Sequence, residues 1–459
     1  MPPLIRPTQK ANTIARHDDA MVVGLGVTGY SVVSYLSARG LTVSVMDSRV
    51  EPALAKRLHN EFPNVKCYFG DFDGDLLCTQ SLIVVSPGVA LSEPAMRQAK
   101  RAGVDIVGDI ELFLQENQQP VIAITGSNGK STVTSLVGAM CAQGGMLPLV
   151  AGNIGLPVLD ALTHGSDYNV AVLELSSFQL ETTYRVPSVA AGFLNISADH
   201  MDRYDSMGDY ILAKARIFRG AESAIIPRRD VEIKQVANTQ SVLTFDLDEP
   251  SNDNEFGITD GGWLAKGGQR LMRRTDIALT GSHNVKNVLA AFALTECLSL
   301  SEKSLVEAVK RFTGLPHRMQ TVADADGVVW VNDSKATNIG ATATALSSLD
   351  SEVIWIAGGV GKGSDFSDLK DSVGKNIKIL ILYGQDADHI EAALNGLLPI
   401  KNVMNLQEAV HEAGAMAQKN NIVLFSPACA SFDMYKNFEQ RGDDFVKHTN
   451  AWIAERGAA

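Results

Sequence analysis

The sequence has few cysteines, and none of them are paired in a CxxC pattern. A scattered, odd-numbered set does not predict a disulfide framework or a thiolate zinc site, and it is typical of reduced thiols in a cytoplasmic protein. Only Cys429 is expected near a functional site. The five residues are Cys67, Cys78, Cys141, Cys297 and Cys429.

Long apolar runs and an excess of positive charge are also missing. The longest runs, such as 82–85 and 379–383, are strand-sized, whereas a membrane-spanning helix needs about 18 residues or more. The first residues lack the apolar segment of a signal peptide, so we expect a cytoplasmic location. With 40 basic and 52 acidic residues the net charge is −12, which argues against a general nucleic-acid coat. Local phosphate pockets remain compatible with it.

The chain has 459 residues, enough for about three domains. Strand-sized apolar runs alternate with helical stretches, which predicts α/β domains with parallel sheets. We predict a Rossmann-like domain at 1–108 and a central P-loop-type mononucleotide-binding domain at 109–314, with a small antiparallel excursion at 240–280. A second Rossmann-like domain follows at 315–459. Residues 1–18 are expected to form a flexible extension.

A first glycine loop, Gly24-Leu-Gly-Val-Thr-Gly29, follows a predicted strand and opens a helix. Asp47 ends the next strand, which completes a dinucleotide fingerprint. Taken alone, this pattern predicts an NAD-dependent oxidoreductase. Any nucleotide diphosphate could use the same helix start, and a plain strand–helix turn is a further alternative.

A second glycine loop, Thr125-Gly-Ser-Asn-Gly-Lys-Ser-Thr132, also lies between a strand and a helix. It lacks the first glycine of a Walker A loop, because position 124 is isoleucine. Its backbone N–H groups at 127–130 still predict an anion cradle. Lys130 could neutralise the β- and γ-phosphates of ATP, and Ser131 could bind Mg²⁺. The alternative is a chance GKST sequence at a helix start.

Further motifs extend along almost the whole chain, and together with TGSNGKST they resemble the Mur ligase family. They are GNIG (152–155), ELSSFQLE (174–181), DHMDRY (199–204), GSHN (281–284), GLPHR (314–318), NDSKATN (332–338) and SPACASFDMYKNFEQRG (426–442). The set is most similar to the member that adds D-glutamate to UDP-N-acetylmuramoyl-L-alanine. The resemblance implies ATP-dependent amide formation through an acyl phosphate, in the cytoplasmic stage of peptidoglycan synthesis.

The resemblance also implies a catalytic and metal-binding set with two Mg²⁺ ions. One ion would be held by Ser131 and Glu174, and the other by His200 and a carbamylated Lys214, with Lys130 on the phosphates. Alternatives from the residues alone stay open. Glu174 could cap a helix, His200 could be an ordinary loop residue, and Lys214 could be an unmodified cation.

The remaining implied residues fall into three groups. ATP would contact Gly126, Ser127, Asn128, Gly129, Lys130, Ser131, Thr132, Asn284, Asn287, Arg318 and Asp333. The UDP substrate would contact Val27, Thr28, Asp47, Ser48, Arg49, Gly88, Asn153 and His200. D-glutamate would contact Lys335, Thr337, Lys362, Ser431, Phe432 and Phe438. The 358–363 loop around Lys362 is expected to be a second anion nest, or else a flexible glycine loop, and Lys335 could instead pair with Asp333.

Three other functions are alternatives to this one. An oxidoreductase leaves TGSNGKST and Glu174 unexplained. A non-catalytic sensor predicts loss of Lys130, Glu174 or Lys214, yet all three are present. A sibling ligase with another amino acid is the nearest alternative. We expect a monomer that binds no nucleic acid.

Overall fold

A computed structural model describes residues 13–201, 203–279, 281–349 and 351–457, and it has three α/β sheets. The described residues form two compact units. The first contains residues up to Ile196, His200–Asp276 and Asn287–Val309, and it holds the first two sheets. The second contains Ser197–Asp199, Ile277–Lys286 and the described residues from Lys310 onward, and it holds the third sheet. The predicted α/β class is confirmed, while the boundaries at 108/109 and 314/315 stay predictions.

The first sheet has five parallel strands in the order β3-β2-β1-β4-β5. The strands are β1 (Asp19–Val23), β2 (Thr42–Asp47), β3 (Lys66–Phe69), β4 (Leu82–Val85) and β5 (Asp105–Val107). The helices are α1 (Val27–Ala38), α2 (Ala55–Glu61), α3 (Gly74–Cys78), α4 (Pro94–Arg101) and α5 (Asp109–Glu116). All of β4 and most of β1 are buried, as continuous apolar runs predict. The strand order reverses between β1 and β4, where such sheets bind ligands.

The segment before β1 differs from the expected flexible extension. Ile14–Arg16 forms a short 3₁₀ turn, and Ile14 is buried in the core of the first unit. The Thr13 backbone N–H donates to Gln115 Oε1 over 2.8 Å. The prediction is therefore wrong for these residues, and positions 1–12 lie outside the described residues.

The second sheet has nine strands in the order β14-β13-β12-β11-β10-β9-β6-β8-β7. They are β6 (Val121–Thr125), β7 (Pro148–Gly152), β8 (Val170–Glu174), β9 (Ala190–Phe193), β10 (Ser223–Pro227), β11 (Ser241–Phe245), β12 (Glu255–Ile258), β13 (Trp263–Lys266) and β14 (Gln269–Arg273). The antiparallel pairs are β12-β13 and β13-β14, whereas β10, β11 and β12 pair in parallel. The excursion predicted at 240–280 therefore extends the central sheet.

Helices of the central region flank these strands. They are α6 (Lys130–Gln143), α7 (Val158–Thr163), α8 (Ser177–Glu181), α9 (Met207–Ala215), α10 (Val231–Val236), α11 (Ser282–Thr295) and α12 (Glu302–Arg311). Within the first unit, Ser31 of α1 donates a hydrogen bond to Asp160 of α7. This contact joins the helices of the first sheet to those of the second.

The third sheet has six strands in the order β15-β16-β20-β17-β18-β19, parallel except for β15. The strands are β15 (Gln320–Ala325), β16 (Val328–Asn332), β17 (Val353–Gly358), β18 (Ile377–Tyr383), β19 (Ile400–Asn402) and β20 (Ile422–Phe425). The helices are α13 (Ile339–Ser347), α14 (Ala387–Leu394), α15 (Leu406–Met416) and α16 (Phe438–Gly457). Separate hydrophobic clusters include Trp355 and Trp330. In none of the described parts of the chain is a helix long and apolar enough to cross a membrane.

Candidate active site

The second glycine loop occupies the junction predicted for it. Strand β6 ends at Thr125 and α6 begins at Lys130. Gly126 and Gly129 have φ angles of +155° and +79°, a region that glycine enters without steric cost. Ser131 and Thr132 are buried in the first turn of α6. The loop therefore lies at the amino end of a helix, where anions are favoured.

Asn195, two residues beyond β9, braces this loop. Its backbone oxygen accepts from the N–H of Ser127 at 3.0 Å, and its Oδ1 accepts from the N–H of Asn128 at 2.8 Å. Its Nδ2 donates to the Asn128 oxygen at 2.9 Å. A primary amide has the donor and acceptor of a peptide group, so Asn195 pairs with the loop as a strand would. The predicted cradle at 127–130 needs correction, since its first two N–H groups are bonded to Asn195.

Two lysines converge on one carbonyl of the loop. Lys130 Nζ donates to the oxygens of Gly126 and Ser127 at 2.9 and 3.0 Å. Lys214, on α9 and only 2% exposed, donates to the same Gly126 oxygen at 2.9 Å. Its Nζ lies 4.6 Å from the centre of the Tyr210 ring. Cations gathered at a buried neutral acceptor favour an anionic ligand.

Glu174 ends β8, the neighbour of β6, and is 1% exposed. Its Oε1 accepts from Asn153 Nδ2 at 2.8 Å, whereas its buried Oε2 has no hydrogen-bond partner among the described residues. Ser176, not Glu174, caps α8 in a capping box with Gln179, so the helix-cap alternative is wrong. A buried carboxylate oxygen without a donor suits a hard cation such as Mg²⁺.

Other predicted residues of this region lie in aromatic or helical settings. His200 has a φ of +57°, and its ring centre lies 4.8 Å from that of Phe178. Asn287 on α11 approaches the loop so closely that a Cβ on Gly129 would lie 2.7 Å from its Oδ1. Asn284, on the same helix, is also buried. Across the described residues, no group of three or more His, Cys, Asp or Glu forms a ready-made metal site.

The first glycine loop is held by a carboxylate. Asp47 Oδ2 accepts from the Leu25 N–H at 2.7 Å and from Arg49 Nη2 at 2.6 Å. Its Oδ1 accepts from the backbone N–H and Nε of Arg49. Burial alone would raise the pKa of Asp47, but the hydrogen bonds from Arg49 and Leu25 lower it to about 2. All four contacts come from the protein, which leaves little capacity for the ribose contact of an NAD enzyme.

The other residues predicted at this edge are more accessible. Thr28 is half-buried, and the remaining four are exposed at the carboxyl ends of β1, β2 and β4. These four are Val27, Ser48, Arg49 and Gly88.

In the second unit, Asp333 directly follows β16 and is buried. Burial raises the pKa of this carboxyl to about 7, although hydrogen bonds from Ser426 Oγ (2.9 Å) and the Met319 N–H (3.1 Å) and the charge of Arg318 oppose the rise. A carboxylate that is costly to ionise when buried favours a nearby cation or a hydroxyl donor.

The predicted glutamate residues lie on three segments of the same unit. Lys335 Nζ lies 4.0 Å from the centre of the Phe438 ring, so these two meet. Ser431 is buried, Thr337 is half-buried, and Lys362 and Phe432 are exposed. The Gly361 N–H donates to Asp386 Oδ2 at 2.7 Å, so the predicted anion nest already contains a protein carboxylate. Cys429 is buried beside this loop, and burial raises the pKa of its thiol to about 12.

Three family profiles match successive parts of the chain. They are described as the MurD-like N-terminal domain (18–108), the Mur ligase middle domain (124–295) and the Mur ligase glutamate ligase domain (317–429). The chain belongs to the Mur ligase family.

Curated relatives support this membership over nearly the full length. A protein of Nitrosococcus oceani is 45% identical over 93% of this chain and 95% of its own. One of Methylobacillus flagellatus is 47% identical over 93% and 95%. One of Pseudomonas fluorescens is 44% identical over 95% and 98%. All three are named UDP-N-acetylmuramoylalanine–D-glutamate ligase.

Solved structures share the fold of this Mur ligase at low sequence identity. MurF from Thermotoga maritima in complex with ADP has a TM-score of 0.60 and 12% identity, with 96% of both chains covered. A pseudomurein peptide ligase type C from Methanothermus fervidus has a TM-score of 0.59 and 18% identity, covering 96% of this chain and all of its own.

Proposed function

We propose that this chain joins D-glutamate to UDP-N-acetylmuramoyl-L-alanine in an ATP-dependent, ADP-forming reaction of peptidoglycan synthesis. The observation that carries the proposal is the identity of 44–47% to relatives of that name across nearly their whole length. The phosphate loop with two lysines on the Gly126 oxygen supports the use of ATP. We propose a cytoplasmic monomer.

The proposed chemistry begins with phosphorylation of the substrate carboxylate. The γ-phosphoryl group passes to a carboxylate oxygen, ADP leaves, and an acyl phosphate results. The D-glutamate amine then attacks the acyl carbon, the amide forms, and phosphate leaves while the amine loses a proton. Phosphoryl transfer depends mostly on positioning and charge neutralisation. Lys130 would neutralise charge on the phosphates, and Asn195 would position the loop that binds them.

We propose that Glu174 and Ser131 hold one Mg²⁺, and that His200 and Lys214 belong to a second site. The buried Oε2 of Glu174, which has no hydrogen-bond partner in the part of the chain that the structure describes, supports the first assignment. When bound, Mg²⁺ neutralises phosphate oxygens and so stabilises the transferring group. Asn153 orients the other oxygen of Glu174, which fixes the direction of the free one.

Lys214 is proposed to be carbamylated. Its neutral Nζ would attack CO₂ and lose a proton, which replaces an ammonium by an anionic carbamate with two oxygens. Lys214 shares an acceptor with Lys130, so its carbamate would replace repulsion between two ammonium groups by attraction between an anion and the Lys130 ammonium. Intact mass spectrometry should show loss of one CO₂ on acidification. An unchanged mass would contradict the carbamate without affecting the proposed ligase reaction.

The outer substrates are assigned to the other two sheets. We propose that Val27, Thr28, Ser48, Arg49 and Gly88 bind the uridine diphosphate end, with Asp47 ordering the loop from behind. For D-glutamate we propose Lys335, Thr337, Lys362, Ser431, Phe432 and Phe438. Arg318, Asp333, Asn284 and Asn287 are proposed to complete the ATP site.

Phosphate release from ATP tests the proposal. Release should require both UDP-N-acetylmuramoyl-L-alanine and D-glutamate, and mass spectrometry should show the amide product. L-glutamate, L-alanine, L-lysine and diaminopimelate serve as matched amino-acid controls. Release that is independent of D-glutamate would contradict the assignment, and preference for another amino acid would identify a sibling ligase.

A further inference from the structure

Arg441 is a buried cation in the second unit that forms no ion pair with a carboxylate of the described residues. It lies near the start of α16 and is 1% exposed. No carboxylate of the described residues lies within salt-bridge distance of its guanidinium, and its Nη1 is buried without a hydrogen-bond partner. Burial lowers the pKa of this guanidinium, and the charge of Asp433 opposes that effect only in part. Because a buried cation without a directly bonded carboxylate is costly, the hydrogen bonds that Arg441 does make indicate its role.

Both of its engaged nitrogens bind a single residue. Arg441 Nε donates to Ser334 Oγ at 3.1 Å, and Nη2 donates to the Ser334 backbone oxygen at 2.8 Å. Ser334 Oγ in turn donates to the Phe438 oxygen at 2.8 Å. The fork thus ties the segment after β16 to the first turn of α16.

These two segments carry residues proposed to bind the incoming amino acid. Lys335 is next to Ser334 in the chain, and its Nζ lies over the Phe438 ring. The neighbouring backbone is held in the same way, because Asn332 Nδ2 donates to the Gly442 oxygen at 3.0 Å. A shift of α16 would therefore separate Lys335 from Phe438.

Arg441 Nη1, the nitrogen without a hydrogen bond to the described residues, lies beside the glycine loop that carries Lys362. A Cβ on Gly359 would lie 3.1 Å from Arg441 Nη1, and Gly359 has a φ of +129°. The loop is closed on its other side, where the Val360 and Ala430 backbones exchange two hydrogen bonds of 2.9 Å. Arg441 consequently binds the segment after β16 and lies beside the glycine loop, while Ser334 links the same network to Phe438.

We propose that Arg441 is a positioning residue that sets the geometry of the amino-acid-binding side chains through Ser334. The inference rests on the proposed D-glutamate ligase function. Lysine cannot replace arginine here, because one ammonium lacks the planar fork that binds two atoms of Ser334.

Steady-state kinetics of Arg441→Lys and Ser334→Ala test the role. A misplaced charge-assisted hydrogen bond changes affinity by about ten- to a hundred-fold, so we expect KM for D-glutamate to rise by at least about tenfold. KM for ATP and for the UDP substrate should remain within about twofold, the scatter expected for sites that share no contact. Because both variants disrupt the same connection between Arg441 and Ser334, KM for D-glutamate in the double variant should be no higher than in the poorer single variant. Arg456→Gln, an exposed change on the same helix, is the matched control.

The outcomes separate the inference from the function. If the wild-type protein shows no D-glutamate-dependent phosphate release, the proposed function fails. If it does, and KM for D-glutamate is unchanged in folded variants or all three KM values rise together, the positioning role is overturned. Should Arg441→Lys not fold, Ser334→Ala decides alone, since it keeps the guanidinium. Faster hydrogen exchange at 333–338 and 358–363, without change elsewhere in the unit, is the expected structural signature.

Discussion

The two glycine loops of the first unit share a strand–loop–helix frame but are held by side chains of different charge. The loop after β1 is held by Asp47, whose oxygens accept hydrogen bonds from Leu25 and Arg49. The loop after β6 is held by the neutral Asn195, and two lysines bind its Gly126 oxygen. The carboxylate of the first loop is therefore paired with Arg49 inside the protein. The second loop instead brings two lysines to one neutral carbonyl, an arrangement that suits a triphosphate. The frame decides where a ligand binds, and the charges behind the loop decide which ligand it is.

The largest effect is expected from Lys130→Ala, which removes one of the charges that distinguish the second loop. Loss of one preorganised group at a transferring phosphate should lower kcat by about 10²–10³-fold. Binding of the UDP substrate, measured by calorimetry, should stay unchanged because it depends on the first loop. Lys234→Ala, an exposed lysine of the same unit, is the control. Equal losses in kcat and in UDP-substrate binding would show that the loops are not separate sites.

Gly29→Ala tests the tight packing of the first loop. A Cβ on Gly29 would overlap the carbonyl oxygen of Gly24, which is backbone and cannot turn away. We expect the free energy of unfolding to fall by about 3 kcal/mol, the upper range for overpacking. Urea unfolding measures it, with Gly268→Ala as control because a Cβ there meets nothing within 4 Å. A variant as stable as the wild type would mean that the loop can shift freely.

Asp47→Asn removes the anion that distinguishes the first loop. The pKa of Asp47 lies near 2 in the folded chain, against an ordinary value of 3.8. Such a lowered pKa corresponds to about 2 kcal/mol of stability, present above pH 3.8 and lost as the pH falls through 2. Unfolding at a series of pH values should show the wild type and Asp47→Asn converge in acid. A difference that is constant with pH would refute the electrostatic account, and Asp71→Asn, at an exposed site, is the control.

The smallest effects should come from the two side chains that hydrogen-bond the loops from behind. Each substitution should affect only the substrate of its own loop. Asn195→Ala deletes two hydrogen bonds to Asn128 and should raise KM for ATP about tenfold. Ser86→Ala deletes the 2.7 Å hydrogen bond from Ser86 Oγ to the Gly24 oxygen. It should raise KM for the UDP substrate by a similar factor. Each variant serves as the other's control in initial-rate kinetics. Effects of both variants on both substrates would remove the distinction between the loops.

Much of the fold follows from local patterns. The apolar runs at 223–227 and 377–383 form strands, since buried parallel strands need continuous apolar residues. Strand β7 has only a weak signal in the sequence because it begins with proline and lies at the edge of its sheet. Strand β15 is likewise hard to predict because its polar residues suit an exposed antiparallel edge.

The parts of the candidate site that could be predicted are those whose functional residues lie in a short continuous motif. Lys130 and Ser131 follow strand β6, Glu174 ends β8, and the structure places β6 beside β8. Asn195 and Arg441 have no such signal. Their partners lie 67 and 107 residues away in the chain, and no spacing rule connects such positions.

The sequence by itself determined the three α/β sheets, the two glycine loops and the resemblance to Mur ligases, because apolar periodicity and turn glycines are local properties. Only the tertiary structure decided how those loops are charged and held. The hydrogen bonds that Asn195, Arg49 and Asp386 make with these loops depend on which strands become neighbours. Similar glycine patterns therefore yield one loop held by a carboxylate and one loop with two lysines on a carbonyl. The buried Oε2 of Glu174 and the buried guanidinium of Arg441 likewise become visible only when packing excludes water from them.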